Sequence, residues 1–438
     1  MTDAIKKRGL PLFLGLCLLM GGASNGGFLE NFLLQIGGII LAVLAITSRP
    51  DGAEATLDRF LPWILLFWAC IVAVQFIPLP VSLWAALPGR LELTEELALL
   101  GVEPAPAMVT LSYHDSFSSL AWALPALGFA VALAAQKDLH ERSLALALIT
   151  CAFLAIALGL IQFLGDPQSA AYLYRITNRG LMVGFFANAN HMATLLLVTL
   201  PFLAALTRSL MDERGHQRRE LLIIWILLAG FIVIGLALVG SLTGYALAAP
   251  VIALSAVIMF PRAGRLLKMA IIPAVALGAA IIALTDEGGN VFAEEDTLSQ
   301  RDRQQIFSTT IAAAQDFWPV GTGLGTFRDI YDNYEEQDAV DRVYVNHAHS
   351  DYLEIGLEFG LAGLIGIIAF VAWWLWRLRT LWPVMARQPF TQAAAIGSGI
   401  ILVHSLWDYP LRTAALSSVF ALSCVILARA AVARSTRS

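Results

Sequence analysis

Charge is scarce in this chain. Asp, Glu, Lys and Arg make up 14% of its 438 residues, where a soluble domain carries about 25%. Hydrophobic residues reach 58%, and the mean hydropathy is +0.72. Those proportions exclude a soluble enzyme and a disordered chain. Cysteine is also rare. Cys17, Cys70, Cys151 and Cys424 all sit inside apolar runs, which predicts small core hydrophobes rather than disulfides or metal ligands. No GxxxxGK[ST] loop and no strand–glycine–helix dinucleotide unit occurs, so ATP-driven transport by this chain alone is not expected. The two halves show no repeat, which weakens an inverted-repeat transporter reading. Nothing points to a nucleic-acid partner.

Long apolar runs fill the chain instead. A membrane span needs about 20 mostly apolar residues. Such runs fall at 10–26, 28–46, 60–77, 116–135, 143–164, 187–207, 221–239, 243–260, 269–285, 352–376, 391–408 and 411–430. The predicted fold is an all-α polytopic membrane protein of about twelve transmembrane helices, one membrane-embedded domain over 1–438. The first run is not read as a cleavable signal, because a second follows at once. Pairs 1/2, 7/8 and 11/12 read as tight hairpins with Gly, Ser, Asn or Pro turns.

The cations set a direction. With the N-terminus in the cytoplasm, only eight of the 28 Lys and Arg residues fall outside: Arg90, Arg175, Arg179, Arg301, Arg303, Arg328, Arg342 and Arg412. The positive-inside rule then predicts both termini in the cytoplasm. Two outer segments are long, 78–115 and 286–351. The first holds Pro88, Pro104 and Pro106 and a short amphipathic run near Leu91–Leu100, expected to lie at the interface. A chain elaborated on its outer face is expected to work on outer or lipid-borne substrates.

The 286–351 loop opens acidic. Ser299 and Asp302 then resemble a capping box, followed by a predicted helix from Arg301 to Phe317 with Ile306, Thr310, Ala313 and Phe317 on its apolar face. Arg301 and Arg303 sit in its first turn. Arginine forks suit phosphate, and a helix N-terminus favours an anion; pairing with the nearby acids is the alternative. VGTGLGTF follows, with Gly321, Gly323 and Gly325. These glycines allow either a tight structural turn or close backbone approach to a ligand. The loop ends Asn346-His347-Ala348-His349-Ser350-Asp351. A metal site would need His347, His349 and Asp351 on an extended segment. A structural histidine is a second reading. A general base at the membrane–water boundary is the third, and the one favoured, because histidine titrates near neutrality.

Polar groups gather at two other outer ends. Asn188, Asn190 and His191 stand where a span begins and read as helix caps or site groups. His404, Asp408 and Arg412 recur every four residues around Pro410, as site residues facing the bundle interior or as a clamp on the last hairpin.

Three stretches carry a resemblance: GFFANANHMA (184–193); Arg303 with FWPVGTGLGTF (317–327) and NHAHSDYLEIGLEFGLAG (346–363); and HSLWDYPLRTAAL (404–416). Together they resemble the O-antigen ligase and Wzy-type polymerase superfamily of bacterial envelope glycosyltransferases. The resemblance implies a multi-span fold with a large periplasmic loop between two late spans, in a bacterial inner membrane. It implies transfer of a glycan from an undecaprenyl pyrophosphate carrier to an acceptor hydroxyl, in lipopolysaccharide or exopolysaccharide biosynthesis. The family's loop histidine, proposed as catalytic, falls on His349, and a pyrophosphate-holding loop arginine falls on Arg303. Two positions depart from the family pattern. Ser350 stands where Asn is usual. The middle hairpin reads Ser241-Leu242-Thr243-Gly244 where many members have Ser-Arg, so a second cation is sought among Arg179, Arg175 and Arg301.

These readings combine into an expected inverting, metal-independent glycosyltransferase needing no cofactor. His349 is the expected base. Arg303, Arg179 and Arg301 are expected on the donor pyrophosphate. His347, Asn190, Gly323 and Asp351 are expected to support the site or bind substrate. The acceptor is a lipid A–core sugar in a ligase, the next lipid-linked repeat in a polymerase, or a protein hydroxyl. Membrane lipids and envelope polysaccharide assembly proteins are the other expected partners. The reading from a different class is a polysaccharide transporter or a non-catalytic assembly partner.

Overall fold

A computed structural model describes residues 3–24, 29–47, 57–102, 105–213, 217–261, 273, 294–336 and 345–430, with side chains from 8 onward and, in the large loop, from 303. Among these residues the fold is all-α apart from one two-residue strand pair. Among the described residues, seven helices are long and apolar enough to cross a membrane. They are α2 (Leu29–Thr47), α6 (Tyr113–Ala134), α7 (Glu141–Leu164), α8 (Ala189–Glu213), α9 (Arg218–Val239), α10 (Leu242–Met259) and α13 (Asp351–Met385). Shorter apolar helices are α1 (Asp3–Met20), α3 (Leu61–Gln75), α14 (Pro389–His404) and α15 (Ala414–Arg429). Every expected span except the ninth thus coincides with a helix. The ninth, 269–285, lies outside the described residues but for residue 273, as do Arg342 and, of the loop's acidic start, Asp286 and Glu287.

α8 is the central helix. Its residues from Ala189 to Thr207 are almost all buried, because α7, α9, α10 and α14 pack around it. α2 lies on α6 at backbone contact: a Cβ on Gly128 would stand 2.0 Å from the Gly38 carbonyl oxygen. Small residues allow such approach where lipid offers no hydrophobic drive between helices. The α9–α10 hairpin turns in two residues. Gly240 takes the left-handed conformation (φ 80°), and the Ser241 hydroxyl accepts the Gly244 N–H to cap α10. Cys17, Cys151 and Cys424 are buried as expected. Cys70 is exposed on α3, which corrects its reading as a core residue: an apolar run marks a span but not which face meets the protein.

The smaller loop is anchored to the larger. It holds strand β1 (Pro78–Leu79) paired antiparallel with β2 (Ala107–Met108), and helices α4 (Val81–Ala85) and α5 (Leu91–Leu99). α5 is the amphipathic run expected, with no residue buried. Arg90, fully buried, donates to the carbonyls of Pro88 (2.9 Å), Val109 (2.7 Å) and Gly321 (2.9 Å). Burial lowers its pKa to about 10, so it stays charged at neutral pH.

The large loop's helix α11 (Glu294–Asp316) begins earlier than expected, and Ile306, Thr310, Ala313 and nearby Phe317 are buried as expected. The Ser299 and Asp302 capping box involves side chains outside the described residues. α11 packs on α13, and α12 (Phe327–Tyr334) follows. α13 breaks at Gly360 (φ 55°, ψ −136°). The loop glycines fill this break. Leu361 N–H donates to Pro319 O (2.9 Å), while Thr322 and Gly323 N–H donate to Leu357 O (3.0 Å) and Glu358 O (2.9 Å). A helix break leaves backbone groups unpaired, and in a membrane such groups must find protein partners. A Cβ on Gly360 would lie 2.2 Å from Pro319 O, so the site demands glycine.

Candidate functional site

The site forms where α8, α13 and α14 end and the 345–350 segment crosses them. Its centre is His349. This is the one non-glycine residue at positive φ (48°) among those described, a conformation costly for a side-chain-bearing residue. Bonds on both sides hold it. One Glu354 carboxylate faces His347 Nδ1 (2.9 Å) through one oxygen and accepts Ala348 N–H (3.0 Å) through the other. On the far side Ser350 caps α13 by accepting Leu353 N–H, and Asp351 N–H donates to Ser405 O (3.1 Å) and Asp408 O (3.2 Å).

Asp408 is the partner of His349. Its Oδ1 stands 3.8 Å from His349 Nδ1 and 3.7 Å from His191 Nε2. The same oxygen accepts Tyr409 N–H at 2.8 Å, and Asn188 Nδ2 donates to the carboxylate at 3.3–3.4 Å. Burial alone would push the Asp408 carboxyl up. His191, His349 and Arg303 outweigh it and hold the group well below the usual carboxylate range. The His349 imidazole moves the opposite way: burial pushes it down to about 4, against the pull of Asp408, with Arg303, His347 and His191 adding to the fall. Its side chain still keeps 23% of its surface. Nδ1 therefore faces the carboxylate, and the other ring nitrogen is free of that role. Tyr409 packs against three imidazoles, with centroids 5.0 Å from His191, 4.4 Å from His347 and 5.0 Å from His349.

Arg412 faces three buried carboxylates on successive turns of α13. It lies 3.7 Å from Asp351 Oδ1, 3.4 Å from Glu354 Oε1 and 3.0 Å from Glu358 Oε2. Burial would lower its pKa, but these acids raise it. The last hairpin is thus clamped to α13 through Arg412, while His404 and Asp408 face α8. His404 Nδ1 meets the Thr194 hydroxyl at 2.5 Å.

The expected site residues separate into groups. His349, His347, Asp351 and Arg303 come together: Arg303 acts electrostatically on His349, Asp408 and Tyr409. Asp351 is buried and accepts from Ser405 Oγ (2.7 Å) and Leu411 N–H (3.3 Å), so it acts as a scaffold. Asn190 accepts from Ser241 Oγ (2.7 Å), which ties α8 to the turn where Thr243 stands. Gly323 (φ 116°) is pressed on Thr110, whose Oγ1 would be 2.0 Å from a Cβ; its place is in the packing of the helix break. Arg179 donates to Pro167 O (2.8 Å) and covers the Tyr172 ring, within its own loop. The side chain of Arg301 lies outside the described residues. Arg175 is exposed. Among the described residues no group of three His, Cys, Asp or Glu side chains is arranged to hold a metal ion.

Sequence reasoning missed two features. Its spacing groups Asp408 with its chain neighbours His404 and Arg412, while the packed structure puts it beside His349. The ladder Asp351, Glu354 and Glu358 passed unread, although acids three and four apart on a span share one face.

A helical membrane protein whose histidine–carboxylate centre sits at the mouth of a span is the class that this fold and site define. Residues 226–368 match a family model described as O-antigen ligase. The chain therefore carries the domain of the O-antigen ligase and Wzy-type superfamily, in a stretch that includes Arg303, the loop glycines and His349. His191, Asp408 and Arg412 lie beyond its ends. No curated protein matches the chain.

Proposed function

We propose that this protein transfers a glycan from a polyprenyl pyrophosphate carrier to an acceptor hydroxyl at the periplasmic face of a bacterial inner membrane. The observation that carries the reading is the held His349: neutral at physiological pH, facing the Asp408 carboxylate, with Arg303 in electrostatic reach. A neutral imidazole backed by a carboxylate is equipped to take a proton and bear the charge.

In this reading the acceptor hydroxyl attacks the sugar C1 from the face opposite the pyrophosphate. The new O–C1 bond forms as the C1–O–phosphate bond breaks, and the configuration inverts. The hydroxyl proton passes to His349 Nε2, and the bond pair leaves with the pyrophosphate. Asp408 stabilises the imidazolium that results. Arg303, with Arg301 of the same helix α11, neutralises charge building on the leaving group; Arg179, held in its own loop by Pro167 O and the Tyr172 ring, would have to turn to join them. Arginines can do there what a bound metal would do, so the reaction is expected to run in excess chelator. Strict dependence on an added divalent ion would refute that part.

Ligase and polymerase differ only in the acceptor. The test compares surface polysaccharide in cells carrying wild type or His349→Ala at matched membrane levels. Loss of a polymer with build-up of its lipid-linked precursor supports the reading. Long-chain precursors then mean a ligase, and single repeats mean a polymerase. An unchanged profile, where deletion of the protein does change it, would remove the catalytic assignment and favour transport or assembly.

A further inference from the structure

An apolar groove of about 500 Å³ lies between α3 and the second half of α13, away from the histidine centre. Ile365 to Trp376 lie 14 to 25 residues beyond the α13 N-terminus, roughly 20–38 Å along the helix at 1.5 Å per residue. Ala369 and Ala372, three apart on one face, form its shallow wall. Phe60, Trp63, Ile365 and Trp376 rise around it. Trp63 is 69% exposed and Ile368, just beside, 66%, so in a membrane the groove opens on hydrocarbon.

Its rim is charged on one side. The Arg59 guanidinium lies 4.8 Å from the Phe60 ring centroid, and Phe60 meets Trp376 edge to face at 4.9 Å. Arg59 is exposed. Arg379 follows Trp376 by three residues, a spacing that shares a helix face, and is also exposed. The neighbouring acid does not cancel these charges at the rim. Asp58 is turned inward, where it accepts from Phe60 N–H (2.9 Å), Leu61 N–H (3.2 Å) and Trp373 Nε1 (3.0 Å). Arg377 is likewise occupied, donating to Leu427 O and Ala430 O. Among the described residues, what remains is an apolar trough ending at the exposed Arg59 and Arg379 and at aromatic rings. That combination matches a lipid with a negative head group and hydrocarbon chains.

We propose that this groove holds the acyl chains of an anionic phospholipid of the surrounding bilayer, with its phosphate against Arg59 and Arg379. The site is independent of the glycan chemistry and needs only that the chain be embedded in a membrane.

Native mass spectrometry of the full-length protein, released from mixed phosphatidylglycerol and phosphatidylcholine nanodiscs, tests it. Wild type is expected to retain phosphatidylglycerol in preference. Arg59→Gln, which changes only an exposed side chain, is expected to weaken that retention about fivefold, as the loss of one cation near a lipid phosphate should, while phosphatidylcholine is unaffected. Ala372→Phe fills the trough and is expected to abolish retention of both; Ala369→Phe serves if that variant fails to fold. Leu227→Phe, on the lipid-facing side of α9, is expected to change nothing. Equal retention of the two lipids by wild type overturns the proposal. So does unchanged retention in the filled variant, or displacement of phosphatidylglycerol by a polyprenyl phosphate, which would assign the groove to an isoprenoid tail.

Discussion

Replacing Asp408 by Asn probes the carboxylate's part in the chemistry directly. The substitution keeps the shape and one acceptor for Tyr409 N–H, so the turn after α14 should hold. What it removes is a charge 3.8 Å from His349 Nδ1. At that distance, with an effective dielectric near 20, an imidazolium and a carboxylate attract by about 4 kcal/mol. His349 is open to solvent at one edge and Asp408 is shared with His191, so part of that figure is screened. About 10²–10³-fold in kcat is the expected loss. It should not exceed that of His349→Ala, because Asp408 acts only through the histidine. The assay is single-turnover glycan transfer by purified protein in detergent, with thermal unfolding as the check on folding.

The pH dependence separates this cause from others. The base is competent when neutral, so activity should be lost as pH falls through the His349 pKa. Burial has moved that pKa down from 6.5 to about 4, and the exposed edge limits the shift. The acid limb should therefore lie clearly below 6.5. Removing Asp408 takes away the group that raises the pKa, so the limb in Asp408→Asn should move lower still while the plateau falls. A folded variant within threefold of wild type, or losses that multiply in the His349→Ala/Asp408→Asn double variant, would refute the argument.

Other consequences follow from the packing. Glu354→Gln can satisfy only one of the two donors that the carboxylate holds at His347 and Ala348. Removing one member of a buried charged network costs about 3–5 kcal/mol; Arg412 keeps Asp351 and Glu358, so the lower end is expected by chemical denaturation, with kcat falling more than KM rises. Unchanged kcat would show that His349 holds its conformation without the clamp. Arg90→Met should cost about 3 kcal/mol or more, since three carbonyls lose a buried charged donor, and limited proteolysis should open the 78–112 segment first; a loss below about 1 kcal/mol would mean the two loops hold together otherwise. Gly360→Ala places a Cβ 2.2 Å from Pro319 O at a positive φ, and is expected to lower Tm more than Gly230→Ala, where nothing lies within 4 Å. Equal effects would deny that the helix break is tightly filled.

Much of the architecture was legible because the bilayer writes it into the chain. Hydrocarbon thickness demands apolar runs of a set length, and these runs became helices wherever the chain is described. Cys70 shows the limit of that reading: membrane-facing and protein-facing residues are equally apolar, so the run alone does not separate them. The loop motif likewise singled out His349 and Arg303, which the structure brings within electrostatic reach of each other. Gly323 was open between turn and ligand contact; its backbone is bonded to Glu358 and its face is closed by Thr110.

By itself, then, the sequence determined the helical membrane class, the position of its apolar helices among the described residues and the histidine just before α13. Those are local properties, set by hydropathy over a span's length and by a short motif. Only the tertiary structure decided what surrounds that histidine. Asp408 and His191 reach it from the turn after α14 and from α8, Glu354 grips the residues before it, and Arg412 leaves its own hairpin to face the acids of α13. These partners are distant in sequence, and their charges are matched only once the helices have packed.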